Sequence, residues 1–263
     1  YSHWVPGNSG GESETVIGQW LRNRGRRDDV VLATKVSGKP DLLGLAPETI
    51  ARGVDESLQR LRTDYIDVYY THYQDDDTPI VESAAAFDAL VRAGKVRTIG
   101  LSNLSAAAID EWFEVSAENG FALPVALQPR YSLVARRYEA ELRQVARRRH
   151  MSVFPYQVLA GGFLSGKYRT EADTHGRARG GAVKGYLTPE GLGVLDVLEQ
   201  VAADLDTDAA SVALAWAVAQ DKTTAPLAAA TSPEQLDQLF TATALELSTK
   251  QLAALDEASA SFR

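Results

Sequence analysis

Cysteine is absent from this chain of 263 residues, which excludes disulfides, thiolate metal ligands and a cysteine nucleophile together. Methionine occurs once, as Met151, so Tyr1 is not an initiator and the expectation is a chain that lacks its beginning. Histidine is scarce as well: His3, His72, His150 and His175 stand far apart, with no H-x-H or H-x-x-x-H pair to hold a metal. No apolar run approaches the roughly 18 residues of a membrane span and no stretch has signal-peptide layout, so no membrane partner is expected and the cytoplasm is the expected compartment. Positive charge is in deficit, 27 Lys and Arg against 35 Asp and Glu, a net charge of −8 with a pI near 5.1. Nucleic-acid phosphates would be repelled by that field. The one basic run, Arg147-Arg148-Arg149-His150, reads as a solvated helix end whose cations complement the C-terminal dipole.

What the chain does have is ordinary globular material, 45% hydrophobic and 24% charged, at a length that α/β barrels fill with a single core. The expectation is one domain over residues 1–263. Short β-branched runs alternate with amphipathic helix-length segments, the pattern of repeated β-α units on a parallel sheet. Six strands are predicted: Val30–Thr34, Ile66–Thr71, Val96–Leu101, Val125–Gln128, Ser152–Tyr156 and Thr224–Ala228. Helices are predicted at Pro47–Leu61, with Pro in the first turn and apolar Ile50, Val54, Leu58 and Leu61 on one face, and at Ile80–Ala93 and Ser105–Glu118. Further helices follow at Tyr138–Arg149, Pro189–Leu205, Asp208–Ala219, Pro233–Thr241 and Thr249–Ser259.

No Gly-x-Gly-x-x-Gly follows any strand, which removes the usual fingerprint of an open dinucleotide-binding sheet. Lys35, His72, Ser102-Asn103, Gln128 and Tyr156 close five consecutive predicted strands, where barrel active sites are built. The expected fold is therefore an α/β (β/α)8 barrel, a TIM barrel, with its first two strands absent from this chain. The glycine-rich stretch Gly161–Tyr186 reads either as a functional lid or as a connector.

Lys35 is either a solvated rim charge or an ammonium held for a purpose, and His72 alone fits a hydrogen-bonded rim histidine. With Tyr1 they form a chemical set. A phenol has an ordinary pKa of about 10, a nearby ammonium lowers it by stabilising the phenolate, and an imidazole in reach can orient a carbonyl and share the proton. Such a triple makes a proton donor and an oxyanion site, and the other reactant should be a hydride donor.

Seven segments in order, Gly10–Gly18 (GGESETVIG), Val31–Lys35 (VLATK), Ser57–Asp67 (SLQRLRTDYID), Gly94–Asn103 (GKVRTIGLSN), Leu127–Pro129 (LQP), Leu159–Tyr168 (LAGGFLSGKY) and Ala213–Trp216 (ALAW), resemble the aldo-keto reductases over essentially the whole chain. The resemblance implies an eight-stranded barrel that reduces aldehydes or ketones with a nicotinamide dinucleotide, NADPH with NADH as the alternative. Of the family's Asp, Tyr, Lys and His tetrad, Tyr1, Lys35 and His72 fall on motif positions; the Asp, a few residues before the Tyr in the family, has no counterpart here. Ser102, Asn103 and Gln128 match the residues that hold the carboxamide, and Tyr156 the aromatic stacked on the nicotinamide ring. Gln157, Leu159, Ala160, Gly161, Gly166 and Lys167 match the pyrophosphate loop, and Arg179 a further phosphate contact. Thr231, Gln235 and Gln238 match the grip on the adenosine end. Trp4 and Tyr73 follow the catalytic positions and read as walls of the substrate mouth or as loop anchors. A small-molecule carbonyl compound is the implied substrate. The alternative is a cofactor-sensing or partner-binding module on the same barrel, as potassium-channel β subunits illustrate.

Overall fold

The computed structural model describes Val5, residues 7–177 and residues 179–263. They fall into two compact units, one ending at Leu127 and the other starting at Gln128.

The first unit alternates helix and strand without exception: α1 (Glu12–Arg24), β1 (Ala33–Val36), α2 (Pro47–Leu61), β2 (Ile66–Thr71), α3 (Ile80–Arg92), β3 (Val96–Ser102), α4 (Ala106–Asn119) and β4 (Pro124–Gln128). The strands neighbour one another in chain order, and the β1–β2 and β2–β3 ladders are parallel. This is the strand-helix alternation of an α/β barrel. The helix-facing core is aliphatic and aromatic: Ile50, Val54, Leu61, Ile66, Ile99 and Ile109 are buried, and the Tyr69, Phe87 and Trp112 rings pack in series at 5.5 and 5.7 Å.

Helix α2 occupies the range its pattern predicts, with Pro47 at its start. Helix α1 lies where hydrophobic periodicity gives none. Its buried residues are Glu14, Gly18 and Leu21, while Val16 and Trp20 are exposed, so the inward stripe is not apolar. A Cβ on Gly18 would stand 2.2 Å from the Arg60 carbonyl oxygen; only glycine lets α1 approach the α2 backbone this closely. Glu14 is buried because Thr34 Oγ1 and Arg60 Nε each donate to it at 2.6 Å.

Strand β1 starts three residues later than expected. The Asp67 carboxylate accepts the Leu32 N–H at 2.9 Å, taking a bond that a neighbouring strand would otherwise supply. Arg27 and Arg97 donate to the same carboxylate at 2.7 and 2.9 Å, and their guanidinium groups lie 4.0 and 3.9 Å from the Tyr65 ring centroid. Val31 is consequently left 78% exposed, outside the ladder.

The second unit contains α5 (Glu141–Arg148), β5 (Ser152–Val153), α6 (Gly180–Val183), α7 (Pro189–Asp204), α8 (Ala209–Ala219), α9 (Pro233–Thr243) and α10 (Thr249–Ala258). Side-chain caps start four of them: Thr188 accepts from Gly191, Asp208 from Ser211, Ser232 from Gln235, and Ser248 from Gln251. Two strand expectations need correction. Strand β5 spans two residues because Pro155 has no N–H to extend the ladder. Residues 224–228 form no strand, although Thr224 and Leu227 donate at 2.8 Å to the Val153 and Pro155 carbonyls; Pro226 interrupts them. Buried Arg136 organises the far side of this unit, donating to Glu139 at 2.6 Å and to Ser259 Oγ at 2.6 Å over the Trp216 ring.

No helix among the described residues is long and apolar enough to cross a membrane.

Candidate functional site

Parallel register places Lys35, Tyr70 and Gly100 in one row across β1, β2 and β3. Residues in such a row share a face of the sheet. The missing side chain at Gly100 is what the row requires, because a Cβ there would sit 2.3 Å from the Tyr70 ring. Tyr70 fills that gap, and the Lys35 ammonium stands 5.3 Å from its ring centroid. Burial pulls the Lys35 pKa from its ordinary 10.5 to about 8, since a low-dielectric setting disfavours the charged amine.

His72 follows β2 directly and is buried. Its N–H donates to the Val36 carbonyl at 3.1 Å, which continues the β1–β2 ladder by one residue. The imidazole stacks on Tyr73 at 4.1 Å and 22°. The chain also passes the ring as Gly38, where a Cβ would be 2.4 Å from Nδ1. The ring thus meets an aromatic plane and bare backbone. Tyr73 itself is 49% exposed and gives the site a partly open aromatic edge.

Asn103 closes the cluster. Its φ of 55° puts it in the left-handed region that Asn tolerates better than most residues. Its Nδ2 donates to the His72 carbonyl at 2.8 Å and to Ser102 Oγ at 3.2 Å, while the Ser102 N–H donates to Thr71 Oγ1 at 3.3 Å. Lys35, His72, Tyr73, Ser102 and Asn103 are therefore gathered at the C-terminal ends of three adjacent strands. Tyr1 and Trp4 lie outside the described residues.

In the second unit, Gln128 is buried at the end of β4. Tyr156 is half-buried and fixed by its backbone, its N–H donating to Pro129 at 2.9 Å and its carbonyl accepting from Tyr131 at 3.2 Å. The turn that follows is left-handed at five positions: Gln157 at φ 60°, Ala160 at 49°, Gly161 at 70°, Gly162 at 97° and Gly166 at 79°. For Ala160 this conformation costs about 1–2 kcal/mol, so the turn is held against local preference. Leu159 accepts from the Gly162 N–H at 2.8 Å and the Leu164 N–H at 3.3 Å. The space a Cβ would occupy at Gly162 borders the Lys167 ammonium, 3.1 Å away. Bare main chain beside a lysine fits a pyrophosphate.

Residues 161–186 are not a loose connector. They carry short helical turns at Ala160–Ser165, Glu171–Thr174, Gly180–Val183 and Lys184–Tyr186, and Phe163, Leu164, Tyr168 and Val183 are buried. Arg179 is exposed at the start of α6. At the start of α9, Gln235 Oε1 accepts from the Thr231 N–H and Oγ1, both at 2.9 Å, and Gln238 is exposed one turn on.

Sequence reasoning did not single out Tyr70, Gly100 or Gly38. Glycine inside a strand, as at Gly100, signals a close approach and could have pointed to the first two.

Comparison with known proteins agrees along nearly the whole chain. The model of the aldo/keto reductase family matches residues 8–260. The Bacillus subtilis oxidoreductase YrpG is 34% identical over 95% of this chain and 78% of its own length. The NADH-specific methylglyoxal reductase of Escherichia coli is 33% identical over 93% of this chain and 78% of its own length. The aldo-keto reductase yakc [NADP(+)] of Schizosaccharomyces pombe is 30% identical over 94% and 75%.

Proposed function

Because the chain belongs to the aldo-keto reductase family, we propose that it reduces a small aldehyde or ketone to the alcohol at the expense of a reduced nicotinamide dinucleotide. The observation that carries this reading most is the cluster of Lys35, His72 and Asn103 on consecutive strand ends. When bound, the reduced nicotinamide supplies the hydride.

The protein's share is the proton. Tyr1, outside the described residues, is assigned the acid, and the half-buried Lys35 ammonium would strengthen it by stabilising the phenolate. His72, packed against Tyr73 and Gly38, would hold the carbonyl oxygen in line and share that proton. Ser102, Asn103 and Gln128 are assigned to the carboxamide and Tyr156 to the face of the ring. The left-handed turn with Lys167 is assigned to the pyrophosphate, Arg179 to a further phosphate contact, and Thr231, Gln235 and Gln238 to the adenosine end. NADPH is the proposed cofactor with NADH as the alternative, since relatives named for each are similar to this chain. Tyr73 and Trp4 would favour an apolar or aromatic carbonyl compound, and the cytoplasm is the proposed compartment.

The test pairs fluorescence titration by NADPH and NADH with turnover of an aldehyde panel that includes methylglyoxal. Binding at about micromolar Kd with aldehyde-dependent cofactor oxidation supports the reading. Tight binding without turnover of any aldehyde overturns it in favour of a cofactor-sensing module.

A further inference from the structure

Residues 37–45 leave β1, pass the His72 imidazole at Gly38 and return to α2. Ser37, at φ 68°, turns the chain out of the strand. Leu42 N–H closes a tight turn on the Lys39 carbonyl at 2.9 Å, and Leu42 and Leu45 are buried. Three bonds tie the return. The Gly44 N–H donates to Ser37 Oγ at 2.9 Å, the Leu45 N–H to Asp75 Oδ2 at 2.6 Å, and Ser83 Oγ on α3 to the Leu45 carbonyl at 2.9 Å. Asp75 belongs to the loop after β2, three residues beyond His72, so its carboxylate joins the segment that carries the imidazole to the segment that passes it at Gly38.

A purely local reading of Asp75 is a turn before α3, because Oδ1 accepts the Asp77 N–H at 3.0 Å and Oδ2 accepts Thr78 Oγ1 at 2.8 Å. A local turn does not require the bond to Leu45, thirty residues away in sequence and the shortest of the three. Gly44, whose φ of 83° already favours glycine, also leaves room for the carboxylate; a Cβ there would stand 2.9 Å from Oδ2. Partial burial pushes the Asp75 pKa up, but the N–H and O–H donors around it outweigh that effect and hold it below the usual carboxylate range. The acceptor is therefore ionised at neutral pH.

We infer that Asp75 is a positioning residue for His72: by clasping residues 37–45 it keeps Gly38 against the imidazole. The inference rests on the carbonyl-reductase reading above for its effect on rate. Displacements of about 1 Å near reacting groups can cost up to 10²-fold in rate, and loosening residues 37–45 frees the ring rather than removing it.

The experiment compares wild type, Asp75→Ala and Asp75→Glu in the full chain, reading aldehyde turnover, cofactor affinity by fluorescence and the His72 ring ¹⁵N resonances. Ala removes both acceptor oxygens and leaves the Leu45 N–H without its partner. The expected result for Asp75→Ala is a fall in kcat of about tenfold, unchanged cofactor affinity and shifted ring resonances, with partial recovery in Asp75→Glu. Wild-type kcat and ring resonances in Asp75→Ala, alongside faster exchange of the Leu45 amide, would overturn the inference and leave Asp75 a loop anchor. Should Asp75→Ala not fold, Asp75→Asn, whose single amide oxygen cannot serve the Leu45, Thr78 and Asp77 donors together, is read in the same way. If wild type reduces no aldehyde, the functional reading fails separately, and the ring resonances still decide the clasp.

Discussion

The strand ends around Lys35 and the left-handed turn at residues 160–166 solve the problem of placement by opposite means. Around Lys35, position comes from ladder register, with side chains stacked in rows and tied by bonds between neighbouring strand ends. In the turn it comes from backbone bent into conformations most residues avoid, with few side chains in the way. Side-chain placement suits groups that must hold or move a proton at one point. Bare backbone suits a ligand that is gripped through many weak N–H contacts. On the proposed function, the first region would carry the chemistry and the second the cofactor affinity.

That division breaks most visibly at Lys35. Lys35→Met keeps the apolar stem over Tyr70 and removes the charge, and kcat/KM for aldehyde reduction should fall by about 10³-fold, within the range for a general-acid system. Cofactor affinity measured by fluorescence should stay near wild type. A smaller effect is expected from Gly162→Ala, which must adopt φ 97° and bring a Cβ within 3.0 Å of Lys167 Cε. The strain of about 1–2 kcal/mol should weaken cofactor binding about tenfold while leaving kcat at saturating cofactor unchanged. If both variants lowered both quantities alike, the two regions would not divide the work.

Much of this was legible in the sequence, for identifiable reasons. The ends of α2, α4 and α8 follow from Pro47, Ser105 and Asp208, because capping is a local property. Lys35 and His72 stood out because a polar group at the end of an apolar strand is easy to see. Helix α1 was not legible, since its inward stripe of Glu14, Gly18 and Leu21 depends on Arg60 and on a close backbone approach from α2. The start of β1 depends in the same way on a carboxylate 35 residues later. The pairing of Tyr70 with Gly100 needs the register of two ladders, which no single segment encodes. Local chemistry could be read directly, while whatever a distant partner decides could not.

The central claim is that the Lys35 ammonium tunes the proton donor, and its titration tests this most directly. The Lys35 pKa in the folded protein is about 8 against an ordinary 10.5, so the amine is charged below about pH 8 and neutral above it. Activity that needs the charge should fall as pH rises through that value. Stability should move the other way: between the two pKa values the unfolded chain binds the proton that the folded chain has released, so this group's contribution rises with pH. The measurement is kcat/KM for aldehyde reduction at saturating cofactor from about pH 6 to about pH 10, with denaturant unfolding at each pH. The account predicts a break near pH 8 and a tenfold fall per further unit, with no loss of stability and no break in Lys35→Met. A flat profile, or a fall in rate that tracks unfolding, would contradict it.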